Sequence, residues 1–200
     1  KDVNYYKGIT NKSVHKMPTL MLAERLGIKP KSEWSDAVII GGNMVRWYGG
    51  FDSYVVAQEF DMPIVAPSMG RKIDREDEMD INHLPYMTWV DWMNNLSQYH
   101  VGVHLMPTHA AGTFALNCAF HGIPCIGYGG LDTQEELHPQ LTVGDGDLHS
   151  AKLSANSLSN NYDFYRECSL EARNNYVKSM YNEKNFVPYI TDILEELSNG

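Results

Sequence analysis

Apolar residues fall along this chain in two alternating patterns, short runs and longer periodic segments. Ala37-Val38-Ile39-Ile40 is a mostly β-branched run closed by Gly41-Gly42, the pattern of a strand entering a loop. Ile64-Val65-Ala66 is a second run, ended by Pro67. Residues 101–106 are almost continuously apolar, as a strand covered on both faces would be. Ile123-Pro124-Cys125-Ile126 and Leu141-Thr142-Val143 predict two more strands, and residues 3–6 a first one. Between the runs the spacing changes to three and four. Residues 17–26 predict a helix with Pro18 in its first turn and Gly27 as its stop. Residues 51–60 carry Phe51, Tyr54, Val55 and Gln58 at helical spacing. Trp89, Trp92, Met93, Leu96 and Tyr99 share one helical face, and Ala111, Phe114, Ala115, Cys118 and Ala119 another, which Gly122 ends. Tyr162, Tyr165, Ser169, Ala172, Tyr176 and Met180 mark a long helix. Asn185 is expected to cap a last one, with Phe186, Ile190, Leu194 and Leu197 turned inward. Residues 7–16 and the strongly charged residues 71–82 read as solvated loops.

Strands alternating with helices predict βαβ units. The expected fold is α/β, a Rossmann-like, mostly parallel sheet with helices on both faces. Such sheets bind ligands beyond the carboxyl ends of their strands, so chemistry is sought in the loops after each strand. At 200 residues and 43% apolar composition the chain can build a real core. One domain is expected over residues 1–200, with the helices from about residue 161 as its closing segment. Sixteen basic against 25 acidic residues leave a net charge of −9, which disfavours a nucleic-acid-binding surface. No apolar run approaches the ~18 residues of a membrane helix, so no transmembrane segment is expected. Cys118, Cys125 and Cys168 cannot all pair and form no CxxC, which fits reduced thiols in the cytoplasm. The first residue is Lys1 rather than Met, which leaves room upstream for a targeting segment or a whole preceding domain.

The most informative stretch is VGVHLMPTHAAGTFALNCAFHGIPCIGYGG, residues 101–130. It reads as strand, small-residue turn, helix, strand. The turn Thr108-His109-Ala110-Ala111-Gly112-Thr113 opens the helix at its positive end. Free N–H groups and the macrodipole there form an anion site. Its small residues serve either the close approach of a phosphate or tight helix–sheet packing.

This order, with His121-Gly122-Ile123-Pro124 as a Gly-x-Pro step after the helix, resembles the C-terminal, donor-binding domain of GT-B glycosyltransferases. The resemblance takes in Leu84-Pro85-Tyr86-Met87 ahead of the Trp89 helix, the Gly129-Gly130 and Glu135-Glu136-Leu137 region, and the closing helices. It implies transfer of a sugar from a nucleotide-diphosphate-sugar donor to an acceptor. The acceptor would be held mainly by an amino-terminal domain that this chain lacks. Ala111, Gly112, Thr113 and Phe114 would face the diphosphate, Asn117 the ribose, Tyr86 the base, and His109 the sugar or its phosphates as the catalytic candidate. Many retaining members carry two glutamates eight residues apart where this chain has His109 and Asn117. A Gly-Arg of other members is also replaced, since Gly8 is followed by Ile9. Lys16 best matches the accompanying lysine, Lys7 and Lys12 read as solvated, and Arg46 is a further candidate near the same sheet edge. Backbone dipoles and lysine would supply the charge, so neither metal nor other cofactor is expected.

Other chemistry is less well supported. Eight histidines include no HxxxH or HExxH and no zinc-spaced Cys/His pair. His104 and His109 stand apart only because they end or follow a strand. Asp145-Gly146-Asp147 matches a metal-binding DxD but reads as a turn. No dinucleotide fingerprint, P-loop or nucleophile elbow is present. Two alternatives share the architecture: a nucleotide-sugar epimerase, and a non-catalytic domain that has kept the fold.

Overall fold

The computed structural model describes residues 2–30, 36–67, 72–109 and 112–199. The expectations for Ala111, and for Arg71 at the start of the charged loop, lie outside them. The chain divides into a larger unit, residues 23–177, and a smaller one of residues 1–22 and 178–200.

In the larger unit the apolar runs become the strands of one sheet. These are β1 (Val38–Ile40), β2 (Ile64–Pro67), β3 (Asn82–Leu84), β4 (Val101–His104), β5 (Cys125–Tyr128) and β6 (Thr142–Val143). Their order is β3-β2-β1-β4-β5-β6, and every ladder is parallel. Val38 stands opposite both Ile64 and Val101, and Gly102 opposite Cys125. The helices around this sheet are α2 (Gly50–Ala57), α3 (Trp89–Leu96), α4 (Thr113–His121), α5 (Asp132–Leu137), α6 (Leu148–Asn160) and α7 (Tyr162–Lys178), while α1 (Asp2–Ile9) and α8 (Glu183–Asn199) belong to the smaller unit. The Rossmann-like sheet with helices on both faces is therefore as expected.

The strand period of two decides which residues meet which helices. Val38, Ile40, Val101, Val103, Ile126 and Tyr128 pack with Val56 and Ala57 of α2 and Ala151, Ala155 and Leu158 of α6 in one core. Gly102 and Gly127 face the opposite way, toward α4 and α5. A Cβ at Gly102 would lie 2.9 Å from Cys118 Sγ and 3.1 Å from Phe114, so only glycine lets α4 lie this close to β4. Residues 114–121 of α4 are all buried, which is why its sequence is apolar around nearly the whole circumference. At the amino edge of the sheet α7 ties the layers together. Tyr165 Oη donates to the His100 carbonyl at 2.8 Å, Ser169 Oγ to Gly122 at 2.6 Å and Arg173 Nη1 to Phe120 at 2.7 Å.

Several expectations fail locally. Residues 3–6 are helical, within α1; Tyr5 and Tyr6 are exposed and no strand among the described residues is paired with them, so the backbone bonds within the segment. Residues 17–26 are not a helix. Met21 N–H donates instead to Tyr181 O at 2.9 Å, a bridge from far along the chain that overrides local spacing. Residues 23–27 make a turn, with Gly27 at φ 73°. Helix α8 starts before Asn185, and Asn182 Oδ1 accepts from Lys184 N–H at 3.0 Å. In α8 Ile193 is buried, whereas Leu194 and Leu197 are 60% and 58% exposed. Strand β3 and helix α6 were not anticipated. Asn82-His83-Leu84 is a short polar edge strand, and α6 buries mainly the small Ala151 and Ala155 with Leu158.

Candidate functional site

The chain runs from β1 outward through β2 and β3, then crosses to β4 beside β1 and continues through β5 and β6. Loops therefore part in opposite directions above β1 and β4, which opens a crevice at the carboxyl edge. A cleft of about 450 Å³ occupies this place. Gly42 follows β1, Pro67 ends β2, Leu84 ends β3 and Pro85 to Met87 follow it, and His104 ends β4 with Met106 just beyond. Gly112, Thr113, Phe114 and Asn117 close it from the start of α4, with Tyr48, Trp89 and Trp92 on the remaining sides.

Each wall has a local cause. Gly42 sits at φ 73°, a conformation that suits glycine, and lets the chain turn sharply off β1. Thr88 caps α3, its Oγ1 accepting from Asp91 N–H at 3.3 Å, so Trp89 and Trp92 project from the first turns of α3 into the cleft. Helix α4 begins at Thr113 with Gly112 as its N-cap, which has no side chain to cap it. The Gly112 carbonyl is held from behind by Thr133 Oγ1 at 2.6 Å. Gly112, Thr113 and Phe114 at the start of this nine-residue helix thus line the cleft, at the positive end of its macrodipole.

Two polar side chains in the wall are buried. Asn117 is 4% exposed. With its amide assigned to satisfy its neighbours, Oδ1 accepts from Trp92 Nε1–H at 3.1 Å and Nδ2 donates to the Thr113 carbonyl at 3.2 Å. His104 is 7% exposed, and its ring meets Phe114 edge-on, with centroids 5.2 Å apart. Burial pushes the His104 imidazole down to about 4, so it is neutral at physiological pH. Among the described residues no Asp, Glu, Lys or Arg lines the cleft. Nor does any group of three or more His, Cys, Asp or Glu stand ready to hold a metal ion among them.

Neither a protein-family model nor a curated protein matches this sequence. Solved structures do. The avilamycin A glycosyltransferase AviGT4 superposes with a TM-score of 0.68 at 15% identity, covering 95% of this chain and 59% of that one. Sucrose-phosphate synthase from Thermosynechococcus elongatus gives 0.66 at 12% identity, covering 91% and 50%. Anabaena HepE, in complex with UDP-glucose, gives 0.63 at 12%, covering 90% and 52%. The fold is that of the C-terminal half of GT-B glycosyltransferases. This chain spans 50–59% of the length of these three GT-B relatives in structure. No helix among the described residues is long and apolar enough to cross a membrane.

Within this GT-B fold the sequence-predicted residues separate. Tyr86, Gly112, Thr113, Phe114 and Asn117 meet around the cleft. Arg46 does not line it; it is exposed in a 3-10 turn two residues before Tyr48, which does. His109 is exposed and lies against Gly130 in the turn after β5, where a Cβ would strike its ring. Lys16 belongs to the smaller unit, with Nζ 5.9 Å from the Tyr181 ring centroid and its carbonyl accepting from Tyr189 Oη at 2.6 Å. The Asp145-Gly146-Asp147 segment is a turn, and Asp147 caps α6 by accepting from Ser150 N–H at 3.0 Å. Tyr48, Trp92 and Met106 join the lining without a sequence motif to mark them, and His104 joins it from the strand end that set it apart. The available signal was a polar His104 ending an otherwise apolar run.

Proposed function

We propose that this chain is the donor-binding half of a glycosyltransferase and holds a nucleotide-diphosphate-sugar in the cleft above β1 and β4. The observation that carries the reading is the uncapped N-terminus of α4 opening on a cleft at the sheet's switch point, within a GT-B fold. HepE, which shares the fold, holds UDP-glucose, and that supports the same ligand class here. In this reading the amides of Gly112, Thr113 and Phe114 face the diphosphate. As the bond from sugar to phosphate breaks, negative charge grows on the departing diphosphate. Dipoles already aimed at that point stabilise it without reorganising, so metal-independent transfer is the expected course. Tyr86 and Trp89 offer aromatic faces to the base. The acceptor would come from a second domain, as the greater length of the matched structures suggests. Three buried thiols accord with a cytoplasmic, reducing setting.

Calorimetric titration with UDP, GDP and ADP tests the proposal. Binding of one of them, competed by its sugar conjugate, is expected; binding of none would remove the donor site. A second reading, binding without transfer, is favoured by the absence of any carboxylate from the described lining. Sugar release or transfer from a bound donor by the full-length protein would exclude it.

A further inference from the structure

Buried polar atoms in folded proteins nearly always have partners, and each exception asks for a reason. His104 Nε2 is such an exception. It is buried and has no hydrogen-bond partner among the described residues. It stands at the cleft wall with Gly42 and Tyr48, and its ring leans on Phe114 in the first turn of α4. The chain makes room for this imidazole. A Cβ at Gly41 would lie 2.6 Å from its Cγ, and one at Gly42 would lie 3.4 Å from Nε2. An apolar side chain would fill the space without an orphaned nitrogen, so stability alone does not account for histidine here.

Resting on the donor-site reading above, we infer that His104 is a ligand-contacting residue of this cleft, its Nε2–H donating a hydrogen bond to a diphosphate oxygen of the bound nucleotide-sugar. Three features converge on this role. The nitrogen lies 3.4 Å from where a Cβ of Gly42, in the turn after β1, would stand, and its ring packs on Phe114 at the start of α4, whose first-turn amides would face the same anion. No cationic side chain among the described lining residues competes for the anion. Gly42, where a Cβ would lie 3.4 Å from Nε2, carries no side chain that would stand between this nitrogen and a ligand.

The test measures affinity and stability together, with UDP-glucose as the probe. His104→Phe keeps the edge contact with Phe114 and removes the orphaned nitrogen. It should bind UDP-glucose about tenfold more weakly, the loss expected for one hydrogen bond to a charged acceptor, while its Tm stays level or rises. His104→Leu repeats the comparison in case the larger ring does not fit. In the unaltered protein, the Nε2 nitrogen resonance of His104 should shift when UDP-glucose is added. A variant that loses affinity and Tm together assigns His104 a structural role and overturns the inference. So does unchanged affinity, or a resonance that UDP-glucose leaves unmoved. In those cases the unaltered protein still binds UDP-glucose and the donor site stands. If the unaltered protein binds no nucleotide, the donor site itself fails and this inference with it.

Discussion

Lowering the pH from 8 to 5 should remove about 4 kcal/mol of stability, and two buried histidines account for it. His138 accepts from Cys125 N–H through Nδ1 at 3.3 Å and donates from Nε2 to the Ala115 carbonyl at 2.9 Å. A proton on Nδ1 would face that N–H, so the fold requires the neutral ring. Burial pushes His138 down to about 4, as it does His104, against an ordinary value of 6.5. A group depressed in the folded state contributes stability that is complete above its unfolded pKa and is lost as pH falls toward its folded one. With 6.5 and about 4, each ring costs about 2 kcal/mol by pH 5. The carboxylates that hydrogen bonds hold low begin from 3.8 or 4.5, so their losses come mostly below pH 5. Urea unfolding at pH 8, 6.5 and 5 measures the slope, and His104→Phe should halve it. A curve flat from pH 8 to 5, or a His104→Phe variant that loses as much as the parent, refutes the reasoning.

Three more perturbations examine the walls of the cleft. Trp92→Phe orphans the buried Asn117 oxygen and should cost about 1–3 kcal/mol in urea unfolding. Adding Asn117→Leu should recover about 1 kcal/mol of it, whereas strict additivity would show that the two side chains are not coupled. Gly102→Ala should cost about 1–3 kcal/mol, because its Cβ would meet Cys118 and Phe114, and a Tm equal to the parent's would contradict the packing of α4 on β4. Tyr86→Ala removes a ring that is 88% exposed, so stability should hold within about 0.5 kcal/mol while nucleotide affinity falls about tenfold. Unchanged calorimetric affinity would take the base off Tyr86.

The parts of this molecule that were legible in its sequence are those where one face is fully buried. Val38–Ile40, residues 101–106 and α4 lie in the core on all sides, so their apolar runs and periods have one solution. Where burial is partial the pattern fades. β3 exposes two of its three residues, and α6 presents alanines that no hydrophobic count detects. Residues 17–26 carry a helical pattern, yet Met21 is held by Tyr181, some 160 residues away, and no local rule encodes that. The candidate site divides in the same way. Backbone features at Gly112 to Phe114 follow from the strand–turn–helix order, whereas Tyr86, which also lines the cleft, is pointed to by the resemblance alone. The other side chains named by resemblance separate by position. Arg46 and His109 lie outside the cleft lining, and the Asn117 amide is shared with Trp92 and Thr113.

That last arrangement explains why a neutral side chain occupies position 117. A carboxylate there would be almost wholly desolvated, and no cation among the described lining residues would compensate it. The Trp92 indole N–H could still donate to one carboxylate oxygen, but the Thr113 carbonyl would lose its amide donor and face negative charge instead. Asn117→Glu should therefore raise the pKa of the introduced carboxyl and lose about 2 kcal/mol or more of stability at pH 7. The sign with pH is opposite to that of the buried histidines. A carboxyl whose folded pKa is raised contributes fully below its unfolded value of ~4.3 and loses stability as pH rises through the folded one. The difference in stability between variant and parent should thus shrink from pH 7 to pH 5. Urea unfolding of both proteins at the two pH values measures it. A variant as stable as the parent at pH 7 would mean that position 117 can hold a charge after all, and that asparagine was not selected by burial.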